Sequence, residues 1–177
     1  MQFNQSRPKT ILFPGRFQPP HSGHFRSFEE AHRLLGHLLT PVVVWKRPTK
    51  ESPYRPELIV EMIGAGQTDW MTTSLIASDV NLPNIVEACR RLGYEPVGVA
   101  CGADRAVSYS KQAEKLASGH YDTWVLSSFK VHNVDDREHG VSSSLIREAL
   151  RDGDESYFLD NSPDELHRFL PELRKFS

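Results

Sequence analysis

Two apolar patterns alternate along this chain. Ile11-Leu12-Phe13, Pro41-Val42-Val43-Val44-Trp45 and Pro96-Val97-Gly98-Val99-Ala100-Cys101 are apolar at nearly every position, the pattern of strands covered on both faces. Between such runs, apolar residues recur every three or four positions. From Ser22 onward Phe25, Phe28, Ala31, Leu34, Leu35 and Leu38 form one stripe, which predicts a helix of about four turns. The first fifty residues therefore read strand, helix, strand, a unit whose crossover is right-handed. A second helix is predicted over Arg55 to Ile63, with Pro56 in its first turn and Gly64-Ala65-Gly66 as its stop. Ser74 to Ala77 reads as a short strand, Asn81 to Leu92 as a helix capped by Asn81 and stopped at Gly93, and Asp122 to Leu126 as a further strand. A polar loop follows to about Gly140, and Ser162-Pro163-Asp164-Glu165 predicts a capping box opening a helix to about Phe169.

Composition narrows this picture. With 177 residues and 38% hydrophobic content, the chain can bury one core, and a single domain over residues 10–177 is expected behind a flexible tail at 1–9, with a helical extension from about residue 155. A net charge of −2 and a pI near 6.4 give no global basic field, which argues against nucleic acid as a partner and leaves small anions open. Cys89 and Cys101 form no CxxC pair and read as reduced thiols. The N-terminal residues are too polar for a signal peptide, and no run is long enough to span a membrane, so the expected location is cytoplasmic.

The candidate chemistry gathers at Gly15-Arg16-Phe17-Gln18-Pro19-Pro20-His21-Ser22-Gly23-His24, where a buried strand gives way through a Gly/Pro-rich turn to a helix. A helix start carries unpaired N–H groups and the positive end of the dipole, a site for phosphate. His21 and His24, three apart, can lie on one face and reach the same anion. A His-x-x-His pair by itself is usually an incidental surface feature, and no neighbouring Cys, Asp or Glu completes a zinc set. Lys46, Arg47 and Lys50 follow the second strand's carboxyl end, where open α/β sheets bind ligands, although a solvated basic loop would read the same. Gly102-Ala103-Asp104-Arg105 follows another strand. Its glycine lets backbone approach a ligand, and Asp104 would either accept ribose hydroxyl bonds or cap a helix. In Val141-Ser142-Ser143-Ser144-Leu145-Ile146-Arg147, hydroxyls at a helix entry can cap it and still meet an anion, and Arg147 offers a planar fork. His132 and His139 have no partner spacing and read as surface residues.

GRFQPPHSGH resembles the signature of the HxGH-motif nucleotidyltransferase superfamily, the cytidylyltransferase-like proteins, and its GRFQP lead-in is most similar to NMN adenylyltransferases of the archaeal type. VSSSLIR resembles the superfamily's ISSTxIR motif, with Val141 for Ile and Ser144 for Thr. SSSLIREALRDGD and PTKESPYRPELIVEMI are similar to phosphopantetheine adenylyltransferases. The resemblance implies an α/β fold, a Rossmann-like open parallel sheet flanked by helices, and attack of an acceptor's phosphate on the α-phosphorus of a nucleoside triphosphate with release of pyrophosphate. His21 and His24 would steady the transferred phosphate, and Arg16, Lys50, Ser143, Ser144 and Arg147 would hold the β and γ phosphates, with Lys46 replacing Lys50 if the match shifts. Gly15, Phe17, Gly23, Gly102, Asp104 and Ser142 would also line the nucleotide, and Asn81 the acceptor. Mg²⁺ would bridge the triphosphate, ATP or CTP, with no protein ligand set of its own. The implied partners are that triphosphate and a small phosphorylated acceptor, with no nucleic acid or membrane, and a homo-oligomer is left open. An NMN acceptor comes first; cytidylyl transfer to a phosphorylated alcohol, adenylyl transfer to phosphopantetheine or FMN, and a catalytically silent nucleotide-binding regulator are the alternatives. The departure is the stretch Asp79 to Pro83, which lacks the ring these NMN enzymes present after the third strand; Trp45, Trp70 or Trp124 would have to supply it.

Overall fold

The computed structural model describes residues 6–115, 122–125 and 141–176, with backbone alone at 103, 104 and 122–125. Five strands, β1 (Lys9–Gly15), β2 (Leu38–Val44), β3 (Leu75–Ala77), β4 (Glu95–Cys101) and β5 (Asp122–Val125), form one parallel sheet in the order β3-β2-β1-β4-β5. All four pairings are parallel. Successive crossovers run outward from β1 in one direction and then from β4 in the other. Their loops therefore diverge at the carboxyl ends of β1 and β4 and leave a crevice there.

The helices are α1 (Ser22–Leu35), α2 (Pro56–Ala65), α3 (Leu82–Arg91), α4 (Ala103–Lys115), α5 (Ser143–Arg151), α6 (Ser156–Asp160) and α7 (Leu170–Arg174), with a 3₁₀ helix at Asp164–Phe169 before α7. Side chains alternate across β1. Ile11 and Phe13 join Phe28, Ile59, Ile146, Phe158 and Leu166 on one face, while Leu12 joins Val42, Val99, Ile85, Val86 and Cys89 on the other. This two-sided burial explains why the strands are apolar throughout. Cys89 and Cys101 are buried and form no disulfide, and no described helix is long and apolar enough to cross a membrane.

Several local expectations are corrected. β1 begins at Lys9, which pairs with Glu95 and so leaves the expected tail. α1 stops at Leu35 because Gly36 turns left-handed at φ 71°, so Leu38 belongs to β2 and Leu34 is 56% exposed. Of the expected stripe, Phe28 and Ala31 are buried and Phe25 and Leu35 pack against the core, with Gly23 and Ser27 buried beside them. The expected capping box at Ser162 does not form: its hydroxyl donates to the Phe158 carbonyl, and Pro163 leads into the 3₁₀ helix without a side-chain cap. The expected loop before Gly140, with His132 and His139, lies outside the described residues.

Candidate active site

The turn from β1 into α1 is built around its two histidines. His21 is the N-cap, extended at φ −149°, and its Nδ1 accepts from the Gly23 N–H at 3.1 Å. The His21 N–H in turn donates to Nδ1 of His24 at 3.2 Å, closing a reciprocal capping box made of imidazoles rather than Ser and Glu. An Nδ1 that accepts carries no proton, so each neutral ring holds its proton on Nε2. Burial keeps both neutral: it lowers His21 well below its ordinary value, helped by the nearby His24 and Arg26, and pushes His24 down to about 3. The rings lie 3.9 Å apart between centroids.

The unpaired N–H groups expected at this helix start are already bonded. The Ser22 N–H donates to the Asn161 carbonyl, and those of His24 and Phe25 to the His21 carbonyl. The donors left for an anion are the ring Nε2–H groups. Phe17, left-handed at φ 51°, turns its buried ring beneath His24, edge-on at 5.0 Å between centroids. A Cβ at Gly15 would come within 2.7 Å of the Phe17 ring, which would have to shift. At Gly23 a Cβ would come within 2.9 Å of the His21 ring.

The second motif is drawn against this turn. Ser142 caps α5, accepting from the Leu145 N–H at 3.2 Å. The Ser143 hydroxyl donates to the Pro19 carbonyl at 2.9 Å. Arg147, 7% exposed, donates through NH1 to the Gln18 carbonyl and through NH2 to the Ser144 hydroxyl at 3.4 Å. Its Nε is buried with no hydrogen-bond partner among the described residues.

A cleft of about 670 Å³ opens at the sheet's carboxyl edge. Gly15 at the end of β1 and Arg16 just after it line the cleft, with Trp45, Lys46, Arg47, Thr49 and Ser52 from the segment after β2, and Ser78 and Val80 from the segment after β3. Cys101, Gly102, Arg105 and Tyr109 close it from β4 and α4. His21 and His24 are not among the lining residues; the turn that begins at Gly15 and Arg16 leads from the cleft to them. Four cations and no carboxylate face this space among the described residues, which suits a polyanion. Among the described residues no group of acidic, His or Cys side chains able to hold a metal occurs.

The three basic candidates separate. Lys46 and Arg47 line the cleft, whereas Lys50 is exposed in a turn closed by Thr49 and Ser52 and is not a lining residue. Asn81 does not line it either. Its Oδ1 caps α3 by accepting from the Asn84 N–H at 3.1 Å. Asp104 lies in the first turn of α4, and its side chain is outside the described residues. Of the tryptophans, Trp45 lines the cleft, Trp70 stacks on His32 away from it, and the Trp124 side chain is outside the described residues. Arg105 and Tyr109 went unassigned from sequence, although their i, i+4 spacing just after a strand-end glycine was the available signal.

None of the curated proteins is similar enough in sequence to count as a relative. Among solved structures, the Plasmodium falciparum nicotinic acid mononucleotide adenylyltransferase complexed with NaAD superposes with a TM-score of 0.58 at 12% identity, over 96% of this chain and 98% of that one. Thermotoga maritima TmcAL bound with alpha-thio ATP gives 0.60 at 13% identity, over 93% of this chain and 55% of the longer protein. At such identities the likeness is one of fold. The sequence profile described as cytidylyltransferase-like matches residues 12–149, from the middle of β1 into α5, and so takes in both motifs and the cleft between them. The chain belongs to the cytidylyltransferase-like family and is a nucleotidyltransferase.

Proposed function

We propose that the chain adenylylates a phosphorylated pyridine mononucleotide, joining the acceptor's phosphate oxygen to the α-phosphorus of ATP and expelling pyrophosphate. The observation that carries this reading is the pair of adjacent rings fixed as neutral Nε2–H donors at one helix start. In an in-line displacement, charge grows on the nonbridging oxygens of the α-phosphate and on the leaving pyrophosphate. His21 and His24 donate to the former, and their bonded Nδ1 atoms hold the rings in that tautomer. No proton needs to leave either ring, because the acceptor phosphate is already an anion.

Arg16, Lys46, Arg47 and Arg105 supply the positive charge for the triphosphate, with Lys50 within the same loop as Lys46 and Arg47. Ser142, Ser143, Ser144 and Arg147 adjoin the turn that carries the histidines and are assigned to the β and γ phosphates. Gly15, Phe17 and Gly23 shape the turn so that it can approach the nucleotide, while Gly102 and Asp104 are assigned to the nucleoside. Asn81, whose Oδ1 caps α3 outside the cleft lining, leaves the acceptor contact to other residues. Trp45 offers a flat face in the cleft for the acceptor's ring, and the name of the Plasmodium relative supports a nicotinate-type acceptor. Magnesium would come with the triphosphate.

A coupled pyrophosphate assay tests this, with ATP and CTP crossed against NMN, nicotinate mononucleotide, phosphopantetheine, FMN and glycerol 3-phosphate. Turnover confined to ATP with a pyridine mononucleotide is expected. Preference for CTP, or nucleotide binding without turnover on any acceptor, would overturn the assignment.

A further inference from the structure

Gln18 is 1% exposed, yet both ends of its carboxamide are engaged. Its Nε2 donates to the Tyr54 carbonyl at 2.9 Å, and its Oε1 accepts from the Tyr54 N–H at 2.9 Å. This two-point clasp reaches from the turn that carries His21 and His24 to the far end of the basic loop. That loop is tied within itself: Trp45 Nε1 donates to the Ser52 carbonyl at 3.3 Å, and Thr49 and Ser52 exchange backbone hydrogen bonds at 3.2 Å each. Lys46 and Arg47 thus sit on a segment closed at Trp45 and Ser52 and held two residues later by Gln18. From the other side, the carbonyl of Gln18 accepts from Arg147 and the next carbonyl, Pro19's, from Ser143. One buried residue, three positions before His21, is where the basic loop, the second motif and the histidine turn meet.

We propose that Gln18 is a positioning residue that fixes the histidine turn relative to the basic loop, so that triphosphate held by Lys46 and Arg47 meets His21 and His24 in register. The inference rests on the function proposed above. A carboxamide is suited to the task because it matches a backbone N–H and C=O at once, leaving neither Tyr54 group unpaired in the interior. Loosening it shifts the donors relative to the α-phosphate without removing any of them. A displacement of about 1 Å at a reacting centre costs on the order of a hundredfold in rate.

The test is a double-mutant cycle between Gln18→Met, which has nearly the same length but no polar end, and His24→Ala. It is read on the nucleotide–acceptor pair with the greatest turnover in the assay panel, with thermal midpoints recorded alongside. Gln18→Met is expected to lower kcat by about thirtyfold, with KM for the triphosphate changed by less than about threefold. In the His24→Ala background the same change should lower kcat by less than about tenfold, because one of the two donors it positions is gone and only His21 remains. An equal loss in both backgrounds would overturn the proposal, as would a loss confined to KM. If Gln18→Met does not fold, Gln18→Asn keeps a buried amide but shortens it by one methylene, and the cycle is run on that variant with the same criteria. A wild-type rate in His24→Ala alone would instead overturn the proposed function.

Discussion

The His21 backbone N–H donates to Nδ1 of His24, so the position of one catalytic candidate is set by the backbone of the other. On the proposed function, replacing His24 with Ala removes a donor to the transferred phosphate, while His21 keeps its own cap on Gly23. Turnover should fall by about 10²- to 10³-fold, as when one donor to a developing charge is lost, with little change in nucleotide affinity. Pyrophosphate release and equilibrium nucleotide binding, measured on the same variant, separate these effects.

Burial holds His24 at a pKa of about 3, against 6.5 in an exposed chain, and lowers His21 in the same direction. Between those values the unfolded chain binds more protons than the folded one, so stability rises with pH across the window. The contribution is fully present above about 6.5 and is lost as pH falls toward 3. Thermal midpoints followed from about pH 7 down to 4 should drop less for His24→Gln than for the wild type. Turnover should show no imidazole titration near neutrality, and a rate that fell with a midpoint near 6.5 would contradict the neutral tautomers.

Gly15→Ala would push its Cβ to 2.7 Å from the Phe17 ring, which lies beneath His24. Overpacking of this kind costs about 1–3 kcal/mol, measurable by chemical denaturation. The larger consequence is expected in kcat, since the displaced ring supports His24.

Lys46→Ala and Arg47→Ala should each raise KM for the triphosphate by about tenfold with kcat less affected, as for loss of binding shared by ground and transition states. Lys50→Ala, on the exposed turn, should have the smaller effect. Steady-state kinetics of the three variants at one ionic strength would rank them, and a dominant Lys50 would reassign the phosphate contact to the turn tip.

Arg147→Lys keeps the charge and discards the fork. The Gln18 carbonyl and the Ser144 hydroxyl could not both be reached, and a charged-group hydrogen bond is worth about 1.5–3 kcal/mol. Denaturant midpoints should fall accordingly, and kcat should fall with them.

The strands were legible because two-sided burial leaves runs such as Ile11-Leu12-Phe13 with no polar alternation, and the limits of α3 because Asn81 and Gly93 act within one turn of themselves. The true end of α1 was hidden, since its apolar spacing runs on past the left-handed Gly36 into β2. In the site, the His21–His24 pair was legible from spacing alone. Its tautomers were not, because they depend on which N–H each Nδ1 meets.

The sequence by itself determined the α/β pattern and the helix start that carries the two histidines, since both follow from local spacing. Tertiary structure decided that Arg147 reaches the Gln18 carbonyl across 129 positions, and that Lys46, Arg47 and Arg105 face one cleft while Lys50 and Asn81 do not line it. Those relations follow from strand order and crossover, which bring distant segments together through packing that spacing along the chain does not encode.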